Sequence, residues 1–231
     1  RDGEELVLAA EPVMGPDGTY RLGAWIRDSM AGIGTITFYD PVTGTFGALG
    51  HGITDTDTGM LMPLGDGAVM DASVKAVKRG SVGEPGELKG NFDLTHDRGE
   101  LYANTERGVF GVMESCELTQ ASAVPVAKPG EVHEGAAQIL ANVSGDGVEE
   151  YTVEIARVLG ETQVQNMLIQ VTDQRLIEQT GGIVQGMSGS PILQDGKLVG
   201  AVTHVMVNDP TKGYGILIEN MLAEAGKSSK A

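Results

Sequence analysis

Residues 182–207 read GIVQGMSGSPILQDGKLVGAVTHVMV. Ser188 stands between two β-like runs, with Gly186 and Gly189 on either side. Glycines in these places permit a sharp turn that exposes the serine Oγ and lets a carbonyl approach the backbone. In such a turn the amides of Gly186 and Ser188 can converge on one point and offer two fixed donors to a developing oxyanion. The same tetrapeptide also suits a Gly/Ser turn without chemistry. A nucleophile elbow of the α/β type requires a long helix after the serine and a histidine later in the chain. Here Pro191 and a second β-like run follow instead, so the segment points to an all-β protein.

The rest of the chain agrees with that reading. Gly occupies 34 of 231 positions and aromatic residues only 4%, a turn-rich balance that suits many short strands. Hydrophobic residues make up 41%, enough to bury a sizeable core at this length. Residues 20–49 hold short apolar runs cut by Gly, Asp and Pro, with Trp25 expected in the first core. The stretch from His51 to Asp71 is loop-like. It leads into ASVKAVKRG, whose period-two alternation sends Ser73, Lys75 and Lys78 outward. GSVGEPGELKG at 80–90 reads as a turn, and FDLTHDRGELYANTERGVFGVM as a hairpin. In the second half, YTVEIARV, NMLIQV, GGIV, SPILQ, LVGAVTHVMV and GYGILIE read as strands, and only ENMLAEAGK has helical propensity. The expected architecture is two packed six-stranded antiparallel β-barrels with a short C-terminal helix, the first over 1–120 and the second over 137–231. Residues 121–136, with Pro125, Pro129 and Gly130, form the expected connector.

Charge and cysteine content exclude several classes. A formal charge of −16 opposes close approach to phosphate backbones or anionic membranes, so nucleic acid is not an expected partner. Cys116 is the single cysteine, which rules out an intrachain disulfide or a cysteine-based metal cluster within one chain. It is expected to be a small buried hydrophobe. No His-x-x-x-His helix or His/Asp grouping of ligand spacing occurs, so neither a metal nor another cofactor is expected. No run approaches the roughly 18 apolar residues of a membrane span. The opening RDGEEL does not resemble a secretory signal, and a chain starting on Arg1 reads as a fragment.

Of the four histidines, His51 lies between Gly50 and Gly52 just past an apolar run, where its ring can reach a cleft. His96 and His133 lie in polar surroundings, DLTHDRG and GEVHEG, and receive no role. Thr203, His204 and Val205 fall on the strand after the serine turn, placed to pair with a substrate backbone and line its primary pocket; a structural role for His204 is the plainer alternative.

FGALGHGITDTDTG at 46–59 and TDQRLIEQTGGIVQGMSGSPILQDGKLVGAVTHVMVNDPTKGYGILIE at 172–219 closely resemble the stage IV sporulation protein B peptidase family, and the resemblance extends over nearly the whole chain. It implies a serine endopeptidase of sporulating Gram-positive bacteria, grouped with the chymotrypsin-like double barrels, in which a Ser, a His and an Asp are essential. By motif position these are Ser188, His51 and Asp173 in VTDQRL. Most double-barrel peptidases take the acid from the first barrel, which makes Asp93 in GNFDL the alternative; Asp55 and Asp57 are closer to His51 but suit turn caps.

The resemblance further implies an extracytoplasmic enzyme of the space between the two membranes around the forespore, anchored and carrying a PDZ domain in its full-length form, neither of which is visible here. Its implied substrate is a regulatory protein that holds an intramembrane protease inactive, so that cleavage triggers pro-sigma-K processing; self-cleavage is also implied. The competing class is a non-catalytic or latent barrel pair that holds peptides without cutting them.

Overall fold

A computed structural model describes residues 7, 9–23, 30–113, 122–145, 147–160 and 164–228. Trp25 and Cys116, both expected in a core, lie outside these residues. The chain divides into two compact units, Arg1–Gly32 and Ile33–Ala231. In the first, β1 (Val13–Met14) and β2 (Tyr20–Arg21) pair antiparallel across a turn in which Asp17 accepts from the Thr19 amide at 3.2 Å.

The second unit opens with β3 (Ile36–Tyr39), β4 (Thr45–Ala48), β5 (Ala68–Lys78), β6 (Glu87–Thr105) and β7 (Gly108–Met113). These form a five-stranded antiparallel sheet in the order β3-β4-β7-β6-β5. Among the described residues the first half is thus a half-barrel sheet of five strands, where a closed six-stranded barrel was expected from sequence. Among the described residues β3 pairs only with β4 and β5 only with β6, which leaves two open edges. The β5–β6 hairpin carries a wide bulge, because Met70 pairs with Asp97 and Ala72 already with Phe92. Residues 93–96 are the excess and project from the sheet.

Then follow β8 (Gly135–Ala141), β9 (Glu149–Val158), β10 (Met167–Val171), α1 (Gln174–Thr180), β11 (Pro191–Gln194), β12 (Lys197–Met206), β13 (Asp209–Leu217) and α2 (Ile218–Ser228). The six strands close into a barrel in the order β10-β13-β12-β11-β8-β9. Inward positions alternate along β8, β9 and β10, where Ile139, Tyr151, Ile155, Met167 and Ile169 are essentially inaccessible to solvent. Fully burying each aliphatic side chain contributes about 1.5–3 kcal/mol. Phe110 from the sheet, Ala201 and Ile216 from the barrel and Met221 from α2 share one buried cluster, which joins sheet, barrel and C-terminal helix.

Three sequence expectations change here. GGIV is not a strand: Ile183 and Val184 are buried in the approach to the serine turn, and only Gln185 makes an isolated bridge, to Glu87. β8 was not evident, since Ala and Gln favour helices and only its pairing with β9 and β11 settles its state. Helix α1 was also missed, although Asp173 at its N-cap and Gly181 in the left-handed conformation at its end are sequence-level start and stop signals.

Candidate active site

The serine turn is tied down from three directions. Within it, the Ser190 amide donates to the Met187 carbonyl at 2.9 Å, and the Gly189 amide reaches Val202 of β12 at 2.8 Å. From the first half, the Thr35 amide donates to the Ser188 carbonyl at 2.8 Å and the Thr37 hydroxyl to the Gly189 carbonyl at 2.8 Å. Gly189 has φ of +92°, and a Cβ there would lie 2.0 Å from the Thr35 carbonyl oxygen. No larger residue fits without moving β3 or the turn. Met187 fills the barrel interior beneath the turn, at 0% exposure. Among the described residues, the amides of Gly186 and Ser188 donate to no protein acceptor, while every other amide from Met187 to Ser190 is engaged.

His51 arrives from the other side. β4 ends at Ala48, and Leu49 and Gly50 both take left-handed conformations, φ +66° and +68°. This is rare for leucine and swings the chain sharply out of the sheet. Gly50 abuts the barrel at Thr203 and Ile216, so the next residue, His51, stands beside β12. Its ring lies 4.5 Å, centroid to centroid, from that of His204 and is tilted by 38°. Nδ1 of His51 is 2.8 Å from the Gly52 carbonyl oxygen. A carbonyl only accepts, so Nδ1 carries the proton and the Nε2 lone pair is free. Burial pushes the His51 pKa below the usual imidazole range, partly opposed by the Gly52 carbonyl. His204 is pushed down further, to about 4, by desolvation and by the neighbouring His51. Both rings are neutral at neutral pH.

The Ser188 hydroxyl donates to the Thr203 carbonyl at 2.8 Å rather than to His51. Thr203 is buried and its own hydroxyl donates to the Tyr214 carbonyl of β13 at 3.1 Å. Val205 is half-buried against the barrel core, while His204 is exposed on its outer side. Pairing of β12 with β11 ends at Ala201↔Pro191, so among the described residues no strand pairs with residues 203–206 on that side of the sheet. Ser188, His51, Thr203 and His204 are thus gathered around one end of β12.

The acids are elsewhere. Asp173 is 8% exposed and caps α1. Its carboxylate accepts from the Arg175 amide at 2.9 Å, the Thr152 amide at 3.2 Å and the Arg175 guanidinium at 2.9 Å. These contacts, the guanidinium above all, hold it below the usual carboxylate range. Asp93 sits on the exposed β5–β6 bulge, where it accepts from the amide and hydroxyl of Thr95. Asp55 closes its own turn by accepting from the amides of Asp57 and Thr58. Among the described residues no carboxylate bonds to His51, so this structure brings together Ser188 and His51 but separates both from Asp173. Sequence reasoning also missed Asn104, whose carboxamide bonds the backbone of Ile53 and Met62 in the loop that follows His51. No motif marks an asparagine that acts on a loop some 50 residues away.

A half-buried serine, a histidine whose pKa is lowered by burial, and two amides that donate to no acceptor among the described residues, at the seam of a β-sheet and a β-barrel, are groups that a serine peptidase uses. Residues 18–222 match the family described as SpoIVB peptidase S55. The chain belongs to this family and is a serine endopeptidase. No curated protein matches it significantly. Among solved structures it is similar to the thermostable serine protease AL20 from an extremophilic microorganism, at 13% identity and TM-score 0.45 over 86% of this chain and 90% of that one. It is also similar to the active form of the Rv3671c protease from M. tuberculosis, at 11% identity and TM-score 0.38 over 72% and 94%. Deg5 aligns at 15% identity and TM-score 0.39 over 59% and 62%.

Proposed function

We propose that this chain cleaves a membrane-associated regulatory protein, and also itself, by acyl transfer through Ser188. In this reading the Ser188 hydroxyl rotates from the Thr203 carbonyl to Nε2 of His51, which takes its proton as Oγ attacks the peptide carbonyl. The amides of Gly186 and Ser188 hold the oxyanion. His51 then returns the proton to the leaving amine, and water attacks the acyl-enzyme by the same route. The substrate adds as a strand along residues 203–206, with His204 beside the side chain that precedes the scissile bond. The observation that carries the reading is that Ser188 and His51 both stand at one end of β12 while the amides of Gly186 and Ser188 donate to no acceptor among the described residues.

The proposed setting, to which the family match lends support, is an extracytoplasmic enzyme of the space around the forespore, whose cut releases an intramembrane protease and leads to sigma-K processing. The test has two stages. A fluorophosphonate probe should label the wild-type chain on Ser188 and fail with Ser188→Ala. Incubation with membranes from sporulating cells should then create new N-termini in a membrane-associated protein with the wild-type chain only. A folded wild-type chain that neither labels nor cuts sinks the proposal. The bond from Ser188 to Thr203 favours one second reading, a latent form that a further domain or the substrate switches on. In that case labelling appears only after the partner is added.

A further inference from the structure

In a Ser-His-Asp arrangement the acid fixes the histidine tautomer and its orientation. Here that place is filled by main chain. The Gly52 carbonyl faces Nδ1 of His51 at 2.8 Å, and His51 has no other hydrogen-bond partner among the described residues. Holding that carbonyl requires a rigid loop, because it belongs to the residue that immediately follows the histidine.

Two features supply the rigidity. A Cβ on Gly52 would stand 2.2 Å from Leu61 Cδ1 and 2.6 Å from the Thr105 carbonyl oxygen, so the peptide is wedged between its own loop and the end of β6. Beyond it, the Asn104 carboxamide makes three bonds to main chain. Its Oδ1 accepts from the Ile53 amide at 2.8 Å, and its Nδ2 donates to the carbonyls of Ile53 and Met62, each at 2.9 Å. The Met62 amide also donates to the Ile53 carbonyl at 2.9 Å. Asn104 therefore gathers both ends of the 53–62 loop onto the sheet, one peptide away from Gly52. Its mixed donor and acceptor character matches this task, and aspartate at the position could make only one of the three bonds.

We propose that Asn104 is a positioning residue for His51: by clamping the 53–62 loop it holds the Gly52 carbonyl on Nδ1, which presents the Nε2 lone pair with no carboxylate bonded to His51 among the described residues. The proposal rests on the reading of His51 as general base.

It is tested by 15N NMR of the protein labelled at the histidine ring nitrogens, with His51 assigned from its loss in His51→Ala. The wild type should show His51 protonated on Nδ1. Asn104→Asp, which keeps the Ile53 amide bond and turns the other two into repulsions, should shift His51 toward the Nε2–H tautomer. It should also slow fluorophosphonate labelling of Ser188 on the order of 10²-fold, as a misplaced catalytic group does, with KM for a peptide substrate little changed. A wild-type His51 protonated on Nε2, or a tautomer untouched in folded Asn104→Asp, overturns the proposal. If Asn104→Asp does not fold, the wild-type tautomer and Asp173→Asn decide: Asp173→Asn should leave the Nδ1–H signal unchanged, and its loss there overturns the clamp. A wild type with the expected tautomer but no labelling would count against the peptidase reading, not against the clamp.

Discussion

Replacing Asp173 separates two roles that are easily confused. If its carboxylate oriented the catalytic imidazole, Asp173→Asn would leave the fold intact and cut the acylation rate by about 10⁴ through the wrong tautomer. The structure gives a different expectation. Asp173 caps α1 and satisfies the Thr152 amide of β9, so it fastens the segment that runs through Ile183 and Val184 into the serine turn. Loss of an N-cap costs about 1 kcal/mol. The part-buried bond from the Thr152 amide contributes about 0.5–1.5 kcal/mol more. Asp173→Ala should thus lose about 1.5–2.5 kcal/mol, or roughly 3–10 °C in Tm for a chain of this size. Asp173→Asn keeps an oxygen for one amide and should lose about half as much.

The assay is fluorophosphonate labelling at a temperature well below each variant's Tm, alongside a thermal melt. Asp173→Asn should label within about tenfold of wild type, a barrier change of some 1.4 kcal/mol. Asp173→Ala should fall further, in step with its Tm. A loss of 10³-fold or more in Asp173→Asn with Tm within a degree or two of wild type would refute the reasoning and restore Asp173 as the catalytic acid.

Three further outcomes follow. Since burial lowers the His51 pKa, the acid limb of labelling rate against pH should have its midpoint below 6.5, and a midpoint above 6.5 contradicts the buried, neutral base. His204→Ala uncovers one face of the His51 ring and should raise that midpoint toward 6.5; an unchanged or lower value would show that the ring contact does not shield His51. Gly189→Ala, at φ +92° and 2.0 Å from the Thr35 carbonyl oxygen, should cost more than about 2 kcal/mol and abolish labelling, while a Tm equal to wild type would deny the close approach of β3 to the turn.

How much of this was legible beforehand depended on whether a feature is local. Ser188, its flanking glycines and His51 are each read from a few adjacent residues, and the structure gathers them around β12. The period-two runs of the second half gave most barrel strands, because an inward position must be apolar at every other residue. Closure is not local. Nothing within β5 says that among the described residues it pairs with β6 alone, so five strands and an open edge could not be told from a full barrel. The same holds for Asp173. Its spacing from Ser188 is a fact of sequence, but its engagement by Arg175 and Thr152 depends on where β9 runs. Asn104 was invisible for that reason too.

Replacing a carboxylate by a carbonyl alters the base as well as its orientation. A carboxylate stabilises the imidazolium by full charge, a peptide carbonyl only by its dipole, so a His51 held by Gly52 has less affinity for the proton it must take from Ser188. In exchange it sheds its proton at a lower pH than a carboxylate-backed histidine would. Acidification still has a limit, set by folding. His51 has a folded pKa below its unfolded value, so the unfolded chain binds the proton first and stability declines as pH falls below about 6.5. Asp173 is depressed in the fold as well, and its contribution is present above the unfolded carboxylate value and is lost as pH falls through the folded one. Thermal melts from pH 8 to about pH 2 should therefore show two successive declines. The lower one, which lies below the unfolded carboxylate value of 3.8, should shrink in Asp173→Asn, and the upper one, which His204 shares, should shrink in His51→Ala; a decline of unchanged size in either variant would mean that the group replaced does not carry the linkage assigned to it.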